Sequence, residues 1–197
     1  MRARLLALLA PLALVLSACG INSIPTAEEN AKARWADVQS QYQRRADLIP
    51  NLVNTVRGFA DQERTVLTEV TEARASATRV TVSPEQLSDP EAMRAFTEAQ
   101  GRLTNAIIPL QRLQENYPEL RSSEQFMTLM SQLEGTENRI QIARRDYNAA
   151  VQTYNTRIRT FPDLIGARVI YGSEPLVPFE AQAGAEQAPS IDFGNRQ

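Results

Sequence analysis

Two long stretches of this chain repeat apolar or small residues at alternating steps of three and four, which confines them to helices packed lengthwise against one another. The first passes through Trp35, Val38, Tyr42, Ala46, Ile49, Val53, Val56, Ala60, Glu63, Leu67, Val70, Ala73 and Ala77, and Glu63 is its chief interruption. The second passes through Phe126, Leu129, Leu133, Ile140, Tyr147, Val151, Tyr154, Ile158 and Phe161, again at steps that add to seven. In an α-helix such spacing gathers the side chains into one stripe, and a stripe of this length must be covered by another helix. Short connections make successive helices antiparallel neighbours. The expected fold is therefore all-α, an antiparallel bundle of long helices with an extended C-terminal tail.

Start and stop signals divide the bundle. Thr26 and Glu29 have the spacing of a capping box, so the first helix is expected to begin near Ala27. Pro50 lies inside the first seam and should kink or break it at Leu48 to Pro50. Val80 to Pro90 reads as a connector with a single turn after Ser83, and a helix stripe of Phe96, Leu103, Ile107, Leu110 and Leu113 follows from Pro90 to about Asn116. Pro109 should bend that helix, and Tyr117 before Pro118 should end it. Ser122 or Ser123 can cap the last long helix, with Gln125 completing a box from Ser122, and Pro162 should stop it. Residues 26–168 thus form the bundle and residues 169–197 a tail rich in Pro and Gly, which Phe179, Ile191 and Phe193 are placed to pin.

Residues 1–18 have the anatomy of a secretory leader. Arg2 and Arg4 form a positive start, and Leu5 to Leu16 an apolar stretch shorter than the roughly 20 residues of a membrane span. Leu16-Ser17-Ala18-Cys19 resembles the bacterial lipobox, which makes Cys19 the expected lipidation site and residues 19–25 a short lipidated linker. Gly20 after the cysteine resembles the pattern of lipoproteins carried to the outer membrane of diderm bacteria. The expected location is the extracytoplasmic side of the envelope, at the outer membrane if the source is diderm.

Composition excludes much chemistry. Cys19 is the single cysteine and there is no histidine. No metal site, no cofactor and no Cys-His or Ser-His-Asp system is expected. With 21 basic against 23 acidic residues and no basic patch, nucleic acid is not an expected partner. A carboxylate pair such as Glu134 and Glu137, one helical turn apart, leaves an envelope hydrolase as the enzymatic alternative.

Two segments are richer in polar residues than a bundle requires. One runs from Tyr42 to Asn54 and carries Arg44, Arg45, Asp47, Asn51 and Asn54. In the other, Glu134, Asn138, Gln141, Arg145, Asn148, Gln152 and Asn155 recur at steps of four and three and form one polar stripe beside the apolar seam. Such a stripe either fixes the register of neighbouring helices through satisfied hydrogen bonds, or faces water, or lines a groove for a partner. The structural role is favoured, with Asn148 and Asn155 bonding to the Tyr42 to Asn54 segment. Arg44 and Arg45 with Asp47, and Arg144 and Arg145 with Asp146, are candidate ion pairs across helices.

The same two segments, YQRRADLIPNLVNTVRGFA over 42–60 and LEGTENRIQIARRDYNAAVQTYNTRIRTF over 133–161, closely resemble the LemA family. Asn22-Ser23-Ile24-Pro25, Glu72-Ala73-Arg74-Ala75 and Asn116-Tyr117-Pro118-Glu119-Leu120 are similar to its shorter landmarks. The resemblance implies an all-helical, envelope-facing protein anchored at its N-terminus. That anchor is usually a transmembrane helix, and here a lipobox stands in its place. It brings no catalytic residues. The expected function is a membrane-anchored, non-enzymatic scaffold or adaptor that binds another envelope protein, with a purely structural tether as a further alternative.

Overall fold

The computed structural model describes residues 22–180, so Cys19 and the leader, with Ile191 and Phe193, lie outside the described residues. Helix α1 spans Ser23–Arg57, α2 Arg64–Arg79, α3 Pro90–Asn116, α4 Pro118–Arg121, α5 Glu124–Arg157 and α6 Asp163–Gly166. A 3-10 turn at Pro84–Gln86 divides α2 from α3, and a wide helical turn at Ala167–Tyr171 follows α6. No strand occurs among the described residues. The fold is all-α, and its framework is the antiparallel pair of α1 and α5, each about 50 Å long at ~1.5 Å per residue.

The seams bury as their spacing demands. Trp35, Val38, Ala46, Ile49, Val53 and Val56 are inside, as are Leu133, Ile140, Tyr147, Val151 and Tyr154 opposite. Phe161 departs from its seam and is 79% exposed, because α5 ends at Arg157 and the chain turns away from the axis. The first seam breaks at Gly58–Glu63 rather than at Pro50. Proline at position 50 removes the amide that would bond to the Ala46 carbonyl. The Arg74 Nε–H of α2 donates to that carbonyl at 2.8 Å, so the helix passes through Pro50 without an orphaned acceptor. Glu63, at the actual break, accepts from the Tyr117 hydroxyl at 2.9 Å and ties the loop to the end of α3. That bond holds the Tyr117 hydroxyl above its ordinary pKa.

Helix starts follow local chemistry with one correction. Asp89 accepts from the amides of Glu91 and Ala92, Ser123 from that of Phe126, and Ser83 with Gln86 forms a capping box on the 3-10 turn. Thr26 does not cap. Helix α1 begins earlier, at Ser23, and the Thr26 hydroxyl donates to the Asn22 carbonyl at 2.7 Å from within the first turn.

Helix α2 is only 16 residues long and flanks just the upper half of the bundle, where it packs antiparallel to α3. The lower half is completed by non-helical chain. Val82 and Leu87 of the connector and Leu176 and Phe179 of the tail join the core built on Trp35, Phe96 and Tyr147. Among the described residues, the core of the two halves runs from Ile24 to Phe179.

Candidate functional site

Three polar arrangements arise from the two rich segments. The first is internal. Arg45, on the seam side of α1, is 1% exposed and stands between the two apolar cores. Its guanidinium donates to the Gln100 carbonyl at 3.2 Å and its Oε1 at 2.6 Å, to Thr104 Oγ1 at 2.8 Å and to Glu137 Oε1 at 2.8 Å. Gln100 Nε2 donates in turn to the Ala77 carbonyl at 3.1 Å. Four helices are thereby tied at one level. Glu137, one of the two carboxylates considered for catalysis, is thus paired with Arg45, whereas Glu134 is exposed. The sequence held a signal for this layer. Gln100 interrupts the α3 stripe between Phe96 and Leu103, Thr136 interrupts the α5 seam between Leu133 and Ile140, and both are buried.

The second arrangement is a clasp on the tail. Asn155 donates through Nδ2 to the Leu176 carbonyl at 2.8 Å and accepts from the Leu176 amide at 2.9 Å. Asn148 does the same to Phe179, at 3.0 and 2.8 Å. Seven helical residues and three extended ones both advance about 10 Å, so asparagines spaced by seven match tail residues spaced by three. The Tyr147 hydroxyl donates to the Val177 carbonyl at 2.9 Å, and burial pushes its pKa far above the ordinary range. Arg144 lies 4.6 Å from the centre of the Phe179 ring and donates to the Glu180 carbonyl. Phe179 stacks on Trp35 at 5.7 Å. The partners of Asn148 and Asn155 are therefore tail residues and not the Tyr42 to Asn54 segment. Gly172, at φ 56°, turns the chain into this extended run, a conformation that suits glycine.

The third arrangement is open. Arg44, Asp47 and Asn51 line a surface groove of about 840 Å³ on α1, closed on its far side by Ala77, Thr78, Val80 and Thr81. Leu48, Tyr42 and Phe96 give it an apolar floor. Asp47 accepts from Gln43 Nε2 at 2.8 Å. Asn54 is exposed outside this groove, and Glu134 and Asn138 are exposed on α5. Arg145 lies with Gln141, Arg144 and Asn148 beside the end of the clasped tail. The ion pair expected of Arg45 with Asp47 does not form, since Arg45 turns inward to Glu137.

A sequence profile of the LemA family matches residues 34–193, which takes in α1 from residue 34 onward, all of α5, the internal layer and the clasp. The chain belongs to the LemA family. Sequences similar to this chain include magnetosome protein MamQ 2 and magnetosome protein MamQ 1 of Paramagnetospirillum magneticum, each 28% identical over 157 residues. Magnetosome protein MamQ of Magnetospirillum gryphiswaldense is 27% identical over the same length. The matched stretch is 72% of this chain and 58% of each relative, so this LemA chain spans less than two thirds of their length. No helix among its described residues is long and apolar enough to cross a membrane.

Proposed function

We propose that this LemA-family chain is a lipid-anchored, non-enzymatic scaffold of the cell envelope that holds a protein partner in the groove of α1. The observation that carries the reading is the division of labour within one short segment. Arg45 is consumed by the core, whereas its neighbours Arg44, Asp47 and Asn51 line an open groove with an apolar floor. A few polar groups around apolar surface suit recognition of a partner segment. The carboxylate alternative is weakened by Glu137, whose oxygen is held by a buried guanidinium rather than aimed at a cleft.

The groove is tested by placing a photo-crosslinking amino acid at Asn51 in cells and identifying what it captures. Arg44→Ala with Asn51→Ala should abolish capture by a crosslinker at Asp47 and leave unfolding within about 0.5 kcal/mol of the parent, as for exposed positions. Capture that survives both substitutions would remove the groove from the proposal.

The anchor is proposed at Cys19, four residues before Ser23. Cys19→Ala is expected to release the protein from membranes or leave its leader uncleaved, read by fractionation and by the mass of the N-terminal peptide. Several acyl chains hold firmly where one holds marginally, so the change should be close to all-or-none. Unchanged fractionation and mass would defeat the anchor.

A further inference from the structure

Among the described residues, the lower end of the bundle carries an apolar surface that no element packs against. Phe161 is 79% exposed, Ile165 58%, Val169 78% and Ile170 57%. These are large side chains on consecutive turns, with Phe161, Ile165 and Val169 at steps of four. The opposite side of the same turns does the packing: Ala167 is buried and Leu164 half-buried. A turn that packs on one side ordinarily presents polar residues on the other. Here the outward side is apolar, and contiguous exposed surface of this kind marks a contact with a partner or a membrane.

Its place in the fold identifies the occupant. Helix α6 is fastened to the first turn of α1, where the Ser23 hydroxyl donates to Asp163 Oδ2 at 2.6 Å. Gly166 lies against Ile24, close enough that an added Cβ would meet its Cδ1 at 3.6 Å. The apolar surface therefore sits beside the point at which the N-terminal linker enters the bundle. Four residues from Ser23 to Cys19 reach at most about 14 Å at ~3.4 Å each, so an anchor at Cys19 holds this end against the bilayer. The rim has a matching charge. Arg157, Arg159 and Arg168 are exposed beside the patch, and Arg157 faces Asp163 at 3.8 Å. Glu174 is the exposed acid that follows it in the chain. Arginines around an apolar surface suit anionic headgroups over hydrocarbon, and their like charge disfavours the same surface of a second copy.

We propose that Phe161, Ile165, Val169 and Ile170 form a membrane-contact foot that inserts at the headgroup boundary and stands the bundle upright on the lipid surface. The proposal rests on the Cys19 anchor reading and adds a second attachment that fixes orientation.

The test uses the full chain purified from membranes and returned to vesicles of phosphatidylethanolamine with a minority of phosphatidylglycerol. A phospholipid bearing a diazirine near the start of one acyl chain is included, and labelled peptides are located by mass spectrometry. Label is expected on residues 161–171, several-fold above that on the segments holding Met127 and Ile142, which are each 49% exposed elsewhere on the bundle. Val169→Glu with Ile170→Glu should remove that label and leave the unfolding midpoint unchanged, because neither side chain is buried. An acylated, vesicle-bound protein with no label above background on 161–171 overturns the foot and leaves the anchor standing. Label on 161–171 with an unmodified Cys19 overturns the anchor and supports the foot. Mutual crosslinking of two copies through this segment, in place of lipid label, overturns the foot in favour of a self-interface.

Discussion

Alanine at Arg45 is expected to lower the free energy of unfolding by about 2–5 kcal/mol, the loss usual when a large buried side chain is cut back to alanine. The side chain is 1% exposed, and it alone supplies donors to the Gln100 Oε1 and Glu137 Oε1 atoms within the layer. Alanine would leave a cavity between the two apolar cores and the buried Gln100 Oε1 with nothing to accept. Glu137→Gln should cost less, because the amide oxygen can still accept from the Arg45 guanidinium and the bonds to Gln100 and Thr104 remain. The order of the two effects is as diagnostic as their size. Replacing the layer together, Arg45→Met with Gln100→Leu and Glu137→Leu, should recover much of the stability, since apolar groups that fill the space often match a buried pair. Urea unfolding with a constant slope would check this series. An Arg45→Ala protein within 1 kcal/mol of the parent would mean that water already reaches the guanidinium.

The helices were legible because their signals are local. Asp89 before Pro90 and Tyr117 before Pro118 delimit α3 to the residue, and periodicity located both long seams. The errors lie where a distant residue changes the local rule. Nothing near Pro50 says that Arg74 will satisfy the Ala46 carbonyl, so the local rule gives a kink or a break where the helix continues. Nothing near Thr26 says that α1 will start at Ser23, where α6 arrives with Asp163. Phe161 keeps the period of its seam but lies beyond the end of α5, and period alone does not reveal that the partner helix has run out. The internal layer was partly legible. Arg45 stands in a segment conspicuously rich in polar residues, whereas its partners Gln100 and Thr104 carry little local signal, because a gap in an apolar stripe looks like noise until the helices are aligned. The groove was the least legible part, since Ala77 to Thr81 approach Arg44 and Asn51 only after α2 folds back on α1.

The clasp offers the other large effect, and here a single fluorophore reports it. Trp35 is the only tryptophan of the chain, and Phe179 of the tail stacks on it. Asn148→Ala with Asn155→Ala removes the four side-chain hydrogen bonds that hold the backbone of Leu176 and Phe179. Buried backbone groups left without partners cost about 1–3 kcal/mol each, but the tail can escape that penalty by lifting into water. The expected loss is therefore capped by the free energy of docking the tail, about 2–4 kcal/mol once the burial of Leu176 and Phe179 is counted. Lifting the tail would expose Trp35 and the rings around it, so Trp emission should move to longer wavelength before the bundle melts. The tail should also be cut by protease near Gly172 while α1 and α5 stay intact. Phe179→Ala isolates the apolar share, for it keeps both bonds to Asn148 and removes the stacked ring. Should the double asparagine variant unfold at the parent midpoint with unchanged Trp emission, the tail would be held by its apolar contacts alone, and the match between helical sevens and extended threes would carry no stabilising weight.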